Sequence, residues 1–401
     1  MTEIFRKNVV ESLLEQDFYK LTMGQIFYNK FSHVNATYQY KCRTNIDLTP
    51  YINDIKREID HLCTLSFQYN EIEYLRTRNI FSENYLNFLS NFKLNRQYIN
   101  IDIIDNNLNI TSTGPLIQTS MFEIFVLRIV SEVYSRHNYI IDINNGESRL
   151  LDKIDMIQTY LSEDPTNTFK LIDMGSRRAF STNWHFSVVE LLKNHLPSSV
   201  FIGTSNMKFA QILGIPCVGT QAHEYFQVHQ SVGGCLPIDS QIVAMDNWLD
   251  EYDGVLSTCL TDTLTTDLFL KQFTRKYAMV FDSVRHDSGD IYQFTNKMVN
   301  HYKSLNIDSK TKNIMYSDGL NIPICVDLAR YNKNIIGCAF GVGTNLSCDI
   351  DGITPIQSVM KVVEVNGNPV AKISDSAGKG MCNDLPYISY LTNEIYKKVN
   401  Y

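Results

Sequence analysis

The segment FKLIDMGSRR, residues 169–178, decides the fold of this chain. A short apolar run there stops in a glycine, a serine and two arginines. The same change from apolar run to polar turn recurs six more times before residue 345, with enough chain between most runs for a crossover helix. Repeated strand, polar turn and helix predict a parallel α/β sheet. The seven apolar runs are residues 169–174, 200–202, 215–218, 255–260, 278–281, 314–316 and 335–340.

Seven such units without an obvious edge strand favour closure into an irregular α/β barrel, and an open doubly wound sheet is the alternative. Residues 184–194 and 292–302 have helical periodicity and are expected to be crossover helices. In both folds the residues that bind and react follow the strands, at their carboxyl ends. The turns after the seven runs hold Arg, His, Asp, Ser and Gly, which predicts a functional site at that end.

The chain before the first run is different. Residues 1–135 mix a predicted helix at 53–65, an alternating strand at 36–42 and a buried helix at 122–134, which together predict an N-terminal α+β domain. Residues 136–350 are expected to form the barrel. Residues 351–401 are expected to return to the N-terminal domain and pack on it, because the barrel pattern ends near residue 345.

Composition limits the classes of function. The 401 residues include 44% hydrophobic and 20% charged residues, as in an ordinary globular protein. The net charge of −7 argues against a nucleic-acid-binding surface but allows phosphate ligands, which need few local cations. Nine scattered cysteines without a C-x-x-C pair indicate neither a zinc site nor a disulfide framework. No apolar stretch is long enough to span a membrane, so we expect a cytoplasmic protein.

Three turns hold residues suited to bind a phosphate or a sugar. The segment GVGTN at 341–345 follows a late strand, where backbone N–H groups bind phosphate in such barrels, although a plain tight turn looks the same. The segment RHDSGD at 285–290 offers a guanidinium and two carboxylates for ribose hydroxyls, or for a hydrated Mg²⁺ beside a pyrophosphate. The segment SDG at 317–319 allows the same interpretation. A solvated polar turn is the alternative for both.

His223 is the candidate for the chemical centre. It follows a short run in the segment TQAHE, residues 220–224, where an imidazole could be a base, an acid or a nucleophile, or a structural side chain. Asp262 follows another strand and is suited to orient the ring, as the carboxylate of a catalytic triad does. It is equally suited to cap the next helix.

Six motifs in order resemble nicotinate phosphoribosyltransferase. They lie at residues 17–23, 203–206, 219–224, 285–290, 317–320 and 340–345, within a similarity that covers about residues 12–382. The resemblance implies transfer of a phosphoribosyl group from phosphoribosyl pyrophosphate to nicotinate. It further implies ATP hydrolysis coupled through a phosphohistidine, with ATP and Mg²⁺ as cofactors.

The resemblance also implies residue roles. His223 matches the phosphorylated histidine and Asp262 the acid that orients it. Asp287 matches a ribose-contacting acid, and we count it among the catalytic residues. Tyr19 matches an aromatic side chain that crosses a homodimer interface to stack on the pyridine ring. The other substrate-binding matches are Arg177 and Arg285 for the pyridine acid and ribosyl phosphate, Asp318 for the ribose, and Gly343 and Thr344 for the 5′-phosphate.

Ser205 bears on the choice between acid and amide. A related nicotinamide-using family has an aspartate there, which would repel the carboxylate of nicotinate, whereas a serine can donate a hydrogen bond to it. The sequence departs from the residues usual in this family at two positions expected near the pyridine ring. Met174 replaces a phenylalanine, and Ala179 replaces an arginine. The rival hypotheses are a nicotinamide phosphoribosyltransferase and a non-catalytic ligand sensor of the same fold.

Overall fold

The structure is a computed structural model that describes residues 4–140, 142–219, 221–376 and 378–400. Its strands are β1 (Asn35–Cys42), β2 (Ile99–Ile104), β3 (Asn107–Pro115), β4 (Leu171–Asp173), β5 (Phe201–Thr204), β6 (Thr258–Leu260), β7 (Ser283–His286), β8 (Asn313–Tyr316), β9 (Gly337–Val342), β10 (Ser358–Val365) and β11 (Asn368–Pro369).

Helices fill most of the remaining chain. They are α1 (Tyr19–Lys30), α2 (Ile52–Leu62), α3 (Tyr69–Arg76), α4 (Glu83–Ser90), α5 (Leu116–Thr119), α6 (Phe122–Asn138), α7 (Ile143–Glu163), α8 (Thr182–His195), α9 (Met207–Leu213), α10 (His223–Val232), α11 (Ser240–Tyr252), α12 (Thr266–Gln272), α13 (Arg275–Val280), α14 (Ile291–Ser304), α15 (Ile322–Asn332), α16 (Thr344–Ser347) and α17 (Leu385–Asn400).

The strands form two sheets of different kinds. An antiparallel sheet has the order β11-β10-β1-β3-β2, and a parallel sheet has the order β5-β4-β9-β8-β7-β6. The antiparallel strand β1 alternates buried and partly exposed residues, whereas β4 is buried throughout. That difference is expected, since both faces of a parallel sheet are usually buried.

The parallel sheet closes into an irregular barrel, as predicted. Beyond β5, Cys217 makes a single parallel bridge with Thr204. On the far edge, the backbone N–H of Leu260 in β6 donates to the side-chain oxygen of Gln221, at 3.2 Å. Cys217 thus contacts one edge of the sheet and Gln221 the other, and the run at 215–218 forms a bridge and not a strand.

Besides the run at 215–218, one more of the seven predicted strands is wrong. Residues 278–281 belong mostly to helix α13, and the strand at this place is β7, a few residues later. In α13, Tyr277 and Ala278 are buried, but Met279 is 52% exposed, so the apolar run buries one face only. The shift matters because it puts Arg285 inside β7, with the rest of the RHDSGD motif at the carboxyl end of the strand.

The C-terminal segment contacts both halves of the chain. Strand β10 pairs with β1 and so joins the N-terminal sheet, whereas α17 packs on α12 through Leu391 and Ile395. The expectation that residues 351–401 pack on the N-terminal domain therefore describes only part of the segment. The boundaries at residues 135 and 350 stay predictions.

Side-chain caps begin most helices that follow parallel strands. Ser181, Asn206, Thr265, Asp290 and Asn321 each accept a backbone N–H in the first turn of their helix. Thr265 is thus the cap of α12, and the interpretation of Asp262 as that cap is wrong. Among the described residues, no helix is long and apolar enough to cross a membrane.

Candidate active site

A cavity of about 680 Å³ lies at the carboxyl ends of the parallel strands. It is large enough for a nucleotide-sized ligand. Nine of the ten residues predicted from the sequence as catalytic or substrate-binding line it: Tyr19, Arg177, Ser205, His223, Arg285, Asp287, Asp318, Gly343 and Thr344. Asp262, the tenth, lies directly behind His223.

His223 is the first residue of α10, after the N-cap residue Ala222, which has no side chain that could cap the helix. The N–H groups of a first helical turn have no intrahelical partners, so this end of α10 carries partial positive charge toward the cavity. Burial lowers the pKa of His223 to about 4, and the nearby Lys372 ammonium adds to the effect. The ring is therefore neutral at neutral pH.

Asp262 fixes the tautomer of that ring. His223 Nε2–H donates to Asp262 Oδ1 at 2.9 Å, so Nδ1 is the nitrogen that carries the lone pair. Asp262 Oδ2 accepts from Ser288 Oγ at 2.5 Å and lies 3.1 Å from Lys372 Nζ. Burial opposes ionisation of Asp262, but the His223 and Lys372 contacts outweigh it and hold its pKa well below the usual range.

Asp287 faces the same ring from the loop after β7. Its Oδ2 lies 3.5 Å from His223 Nε2 and 3.8 Å from Lys372 Nζ, and its Oδ1 accepts from Arg285 Nη2 at 3.0 Å. Burial opposes its ionisation, but Arg285, His223 and Lys372 lower its pKa. Asp287 is thus a carboxylate held among cations.

The cluster of His223, Asp262 and Asp287 also has metal-ligating atoms, which lie within 4.8 Å of one another. The Lys372 ammonium contacts both carboxylates, so a lysine supplies the positive charge that a bound ion would bring. Lys372 thus offsets part of the negative charge of Asp262 and Asp287.

Arg177 and Tyr19 also line the cavity, as a contacting pair. Arg177 Nη2–H donates to Tyr19 Oη at 2.5 Å, and the guanidinium carbon lies 5.4 Å from the centre of the Tyr19 ring. Burial opposes the charge of Arg177, but Tyr19, Glu123 and Asp17 raise its pKa. A cation that stays charged is suited to a carboxylate ligand.

Tyr19 lies in the cavity of its own chain, and its predicted role across a dimer interface stays a prediction. Phe18 N–H donates to Ser205 O at 2.8 Å, and Asp17 bridges to Asn206, so the chain before α1 lies along its own barrel. Tyr19 follows immediately and is 5% exposed. Its ring is thereby placed in the cavity of the same chain.

Ser205 lines the cavity, but its hydroxyl already has a partner. Ser205 Oγ–H donates to Asp17 Oδ1 at 2.7 Å, and Asp17 Oδ2 lies 3.6 Å from Arg177 Nε. The serine thus holds the carboxylate that faces Arg177. A direct hydrogen bond from Ser205 to a ligand would require this contact to open.

The remaining predicted residues occupy two more strand ends. Asp318, after β8, pairs with Lys379. Gly343, after β9, leaves so little room that an added Cβ would lie 3.1 Å from the carbonyl oxygen of Met174. Thr344 begins α16 beside it. A side chain at position 343 would therefore crowd the loop after β4.

Comparison with known proteins decides the family. Residues 14–131 match the profile of the nicotinate phosphoribosyltransferase (NAPRTase) N-terminal domain, and residues 169–398 match that of the nicotinate phosphoribosyltransferase (NAPRTase) family. The chain is 40% identical to a nicotinate phosphoribosyltransferase of Ectopseudomonas mendocina, over 97% of both chains. It is also 40% identical to one of Acinetobacter baumannii, over 96% of both. The chain belongs to the nicotinate phosphoribosyltransferase family.

Solved structures agree with this. The fold matches a nicotinate phosphoribosyltransferase of Vibrio cholerae with a TM-score of 0.94 and 34% identity, over 98% of this chain and 95% of that chain. One from Saccharomyces cerevisiae, called putative, matches with a TM-score of 0.87 and 29% identity, over 98% and 99%. The similarity covers the antiparallel sheet and the barrel together.

Five cationic side chains line the cavity at positions that the sequence did not predict. Arg43, Arg178, Lys361, Lys372 and Lys379 come from the N-terminal domain, from the loop after β4 and from the C-terminal segment. With them the described lining has seven cationic side chains and four carboxylates, a net charge of +3 in a chain of net −7. The cavity is therefore built for anions.

The two departures from the family pattern differ in consequence. Met174 lines the cavity, so a thioether takes the place of an aromatic ring there. Ala179 is 2% exposed, and its carbonyl accepts from Ser131. The neighbouring Arg178 lines the cavity and has a pKa lowered to about 10 by burial and by the nearby Arg177 and Arg43.

Proposed function

We propose that this chain joins nicotinate to phosphoribosyl pyrophosphate, giving nicotinate mononucleotide and pyrophosphate, with ATP hydrolysis coupled through phosphorylated His223. The observation that carries the proposal is the His223 ring, held neutral with its Nε2–H on Asp262, at the wall of a cavity with net positive charge. The product places the chain in the salvage of pyridine nucleotides.

The phosphorylation step uses the free lone pair of Nδ1. Nδ1 attacks the γ-phosphorus of ATP, an N–P bond forms, the bond to the bridging oxygen breaks, and ADP leaves. Asp262 stabilises the positive charge that the ring acquires, as the acid of a catalytic triad does. The positive end of α10 stabilises the phosphoryl oxygens. Hydrolysis of the N–P bond later returns the histidine and releases phosphate.

The phosphoribosyl step is mainly one of position and charge. The bond from the anomeric carbon to pyrophosphate breaks as the nicotinate nitrogen attacks, and the state between them resembles an oxocarbenium ion. Arg285 and the cavity lysines stabilise the departing pyrophosphate, and the carboxylates of Asp287 and Asp318 are suited to the ribose hydroxyls. Arg177 is the cation for the nicotinate carboxylate.

Mg²⁺ fits this site as a companion of the phosphates. The ion prefers oxygen ligands and keeps several waters, and it neutralises the charge of phosphate groups when it is bound. Asp287 and Asp318 are the cavity carboxylates that would hold it, each on a loop after a strand. Arg285 and Lys379, their present partners, would turn to the phosphate oxygens.

One assay tests the proposal. Purified protein is incubated with phosphoribosyl pyrophosphate, Mg²⁺ and either nicotinate or nicotinamide, with and without ATP, and mononucleotide formation is measured. We expect product from nicotinate and a higher rate with ATP. A preference for nicotinamide would overturn the substrate, and an unchanged rate with ATP would overturn the coupling.

A further inference from the structure

A cluster of charged side chains lies between helix α1, which begins at Tyr19, and helix α10, which begins at His223. It consists of Lys20 in α1, Glu123 in α6, Glu224 in α10 and Lys361 in β10, and we call it the buried charge cluster. Lys20 Nζ contacts Glu224 Oε1 and lies 2.7 Å from Glu123 Oε2, and Lys361 Nζ lies 3.3 Å from Glu123 Oε1. The side chains of Lys20, Glu123 and Glu224 are 1–2% exposed.

The cluster is connected to the site through the chain itself. Lys20 directly follows Tyr19, which holds Arg177, and Glu224 directly follows His223. The Lys20 to Glu224 pair therefore ties the first turn of α1 to the first turn of α10. Neither Lys20 nor Glu224 lines the cavity.

The cluster is balanced, and Lys20 has two competing partners. Two ammonium groups face two carboxylates, and Tyr38 Oη–H donates to Glu224 Oε2 at 2.6 Å. Burial raises the pKa of Glu224, whereas Lys20, Lys361 and Arg177 outweigh burial at Glu123 and lower its pKa. With so little water nearby, a charge added next to Glu224 changes which carboxylate Lys20 favours.

We propose that Lys20 and Glu224 are positioning residues that transmit the charge at His223 to the Tyr19 and Arg177 pair, so that phosphorylation at one side of the cavity changes nicotinate binding at the other. This inference rests on the proposed function. A phosphoryl group adds about −1.5 to −2 charges beside Glu224 and draws Lys20 toward α10. The first turn of α1 follows, and Tyr19 Oη moves relative to Arg177.

The test uses a variant that keeps the cluster neutral. Lys20→Met alone would leave buried carboxylates without a cation, so the variant is Lys20→Met together with Glu224→Gln, which removes one charge of each sign. We measure acid-labile phosphate from labelled ATP, and the nicotinate KM with and without ATP. The variant is expected to take up label like wild type. Its ATP-dependent change in KM should shrink from about fivefold or more to within about twofold.

A matched control is the double variant Arg136→Met with Glu132→Gln. It also removes an ion pair outside the cavity lining, in which Arg136 is partly buried and lies 2.7 Å from Glu132. It is expected to lower thermal stability without changing the KM ratio. If the first variant does not fold, Tyr38→Phe keeps all four charges and should reduce the ratio in the same direction. The inference alone would be overturned if the Lys20 and Glu224 double variant, or Tyr38→Phe in its place, took up label and kept the wild-type KM ratio. A wild type that takes up no label would overturn the proposed function with it.

Discussion

Two histidine and aspartate pairs lie in the barrel half of the chain, and both bring a ring nitrogen within 2.9 Å of a carboxylate oxygen. His223 begins a helix at the cavity wall, and its aspartate also contacts Lys372. His185 lies inside α8 and is fully buried against Asp173. Its Nδ1 finds no hydrogen-bond partner within the described part of the chain.

The difference is in what surrounds the same contact. Asp173 also accepts from Thr204 Oγ1 at 2.6 Å and from Gly175 N–H at 3.0 Å, so it holds the strand-end loop that carries Arg177. The His185 pair is a support for that loop, whereas His223 lines the cavity. A histidine and aspartate contact is therefore not by itself a sign of catalysis.

The same substitution at both aspartates separates the two pairs most strongly. Asp262→Asn removes the charge that fixes the tautomer of His223, and phosphoryl uptake from ATP should fall by about four orders of magnitude. Asp173→Asn should lower the melting temperature but leave the rate of label uptake per folded molecule unchanged. Equal losses of uptake in the two variants would remove the distinction.

A substitution of Arg177 tests the loop after β4, which the contact of His185 with Asp173 supports. Arg177→Met removes a charge-assisted contact to the nicotinate carboxylate, so the nicotinate KM should rise about 10- to 100-fold. Label uptake by His223 should be unaffected. The matched variant Arg178→Met, also at the cavity, should change KM less, because Arg178 bonds the carbonyl of Ser358 and the side chain of Gln357. A larger effect at Arg178 would contradict this assignment.

The pH dependence sharpens the account of His223. Only the neutral ring has a lone pair at Nδ1, so label uptake should stay level from pH 8 to about 5 and fall near the lowered pKa of about 4. In Lys372→Met the midpoint of that fall should move up by about one unit, because a cation that disfavours protonation is gone. A downward shift would be inconsistent with this role of Lys372.

The free energy of unfolding should also decrease as the pH falls. Between the ordinary pKa of 6.5 and about 4, the unfolded chain binds a proton at His223 that the folded site resists. The contribution of this group to the free energy of unfolding is thus present above pH 6.5 and lost as the pH falls toward 4. Comparing melting curves of wild type and His223→Gln across this range measures it.

The smallest expected effect concerns the dimer. Because Tyr19 and Arg177 meet within one chain, mixing the variants Tyr19→Ala and Arg177→Met should restore no activity beyond the sum of the two. Complementation would show that a partner supplies one of these residues. Homodimer formation itself stays a prediction, and sedimentation of the wild type measures it.

The sequence could predict the part of the site that lies at the carboxyl ends of the parallel strands. Local patterns were sufficient for the barrel and for its strand-end turns, because parallel strands bring their carboxyl ends to one place. Tyr19, which precedes the barrel strands, was predicted only from the family resemblance. The run at 278–281 was misassigned because an amphipathic helix turn and a buried strand have the same short apolar signature. Lys372 and the contact of Lys20 with Glu224, 204 positions apart, depend on how distant segments meet, which no local pattern encodes.

The most direct test of the central claim is a single phosphorylation measurement on protein with ¹⁵N-labelled histidine, incubated with ATP and Mg²⁺. Phosphorus–nitrogen coupling in the NMR spectrum identifies the nitrogen that bears the phosphoryl group. We predict one acid-labile phosphoryl group per chain, on Nδ1 of His223, and none in His223→Ala. Coupling to Nε2, or a phosphoryl group that persists in His223→Ala, would contradict the account.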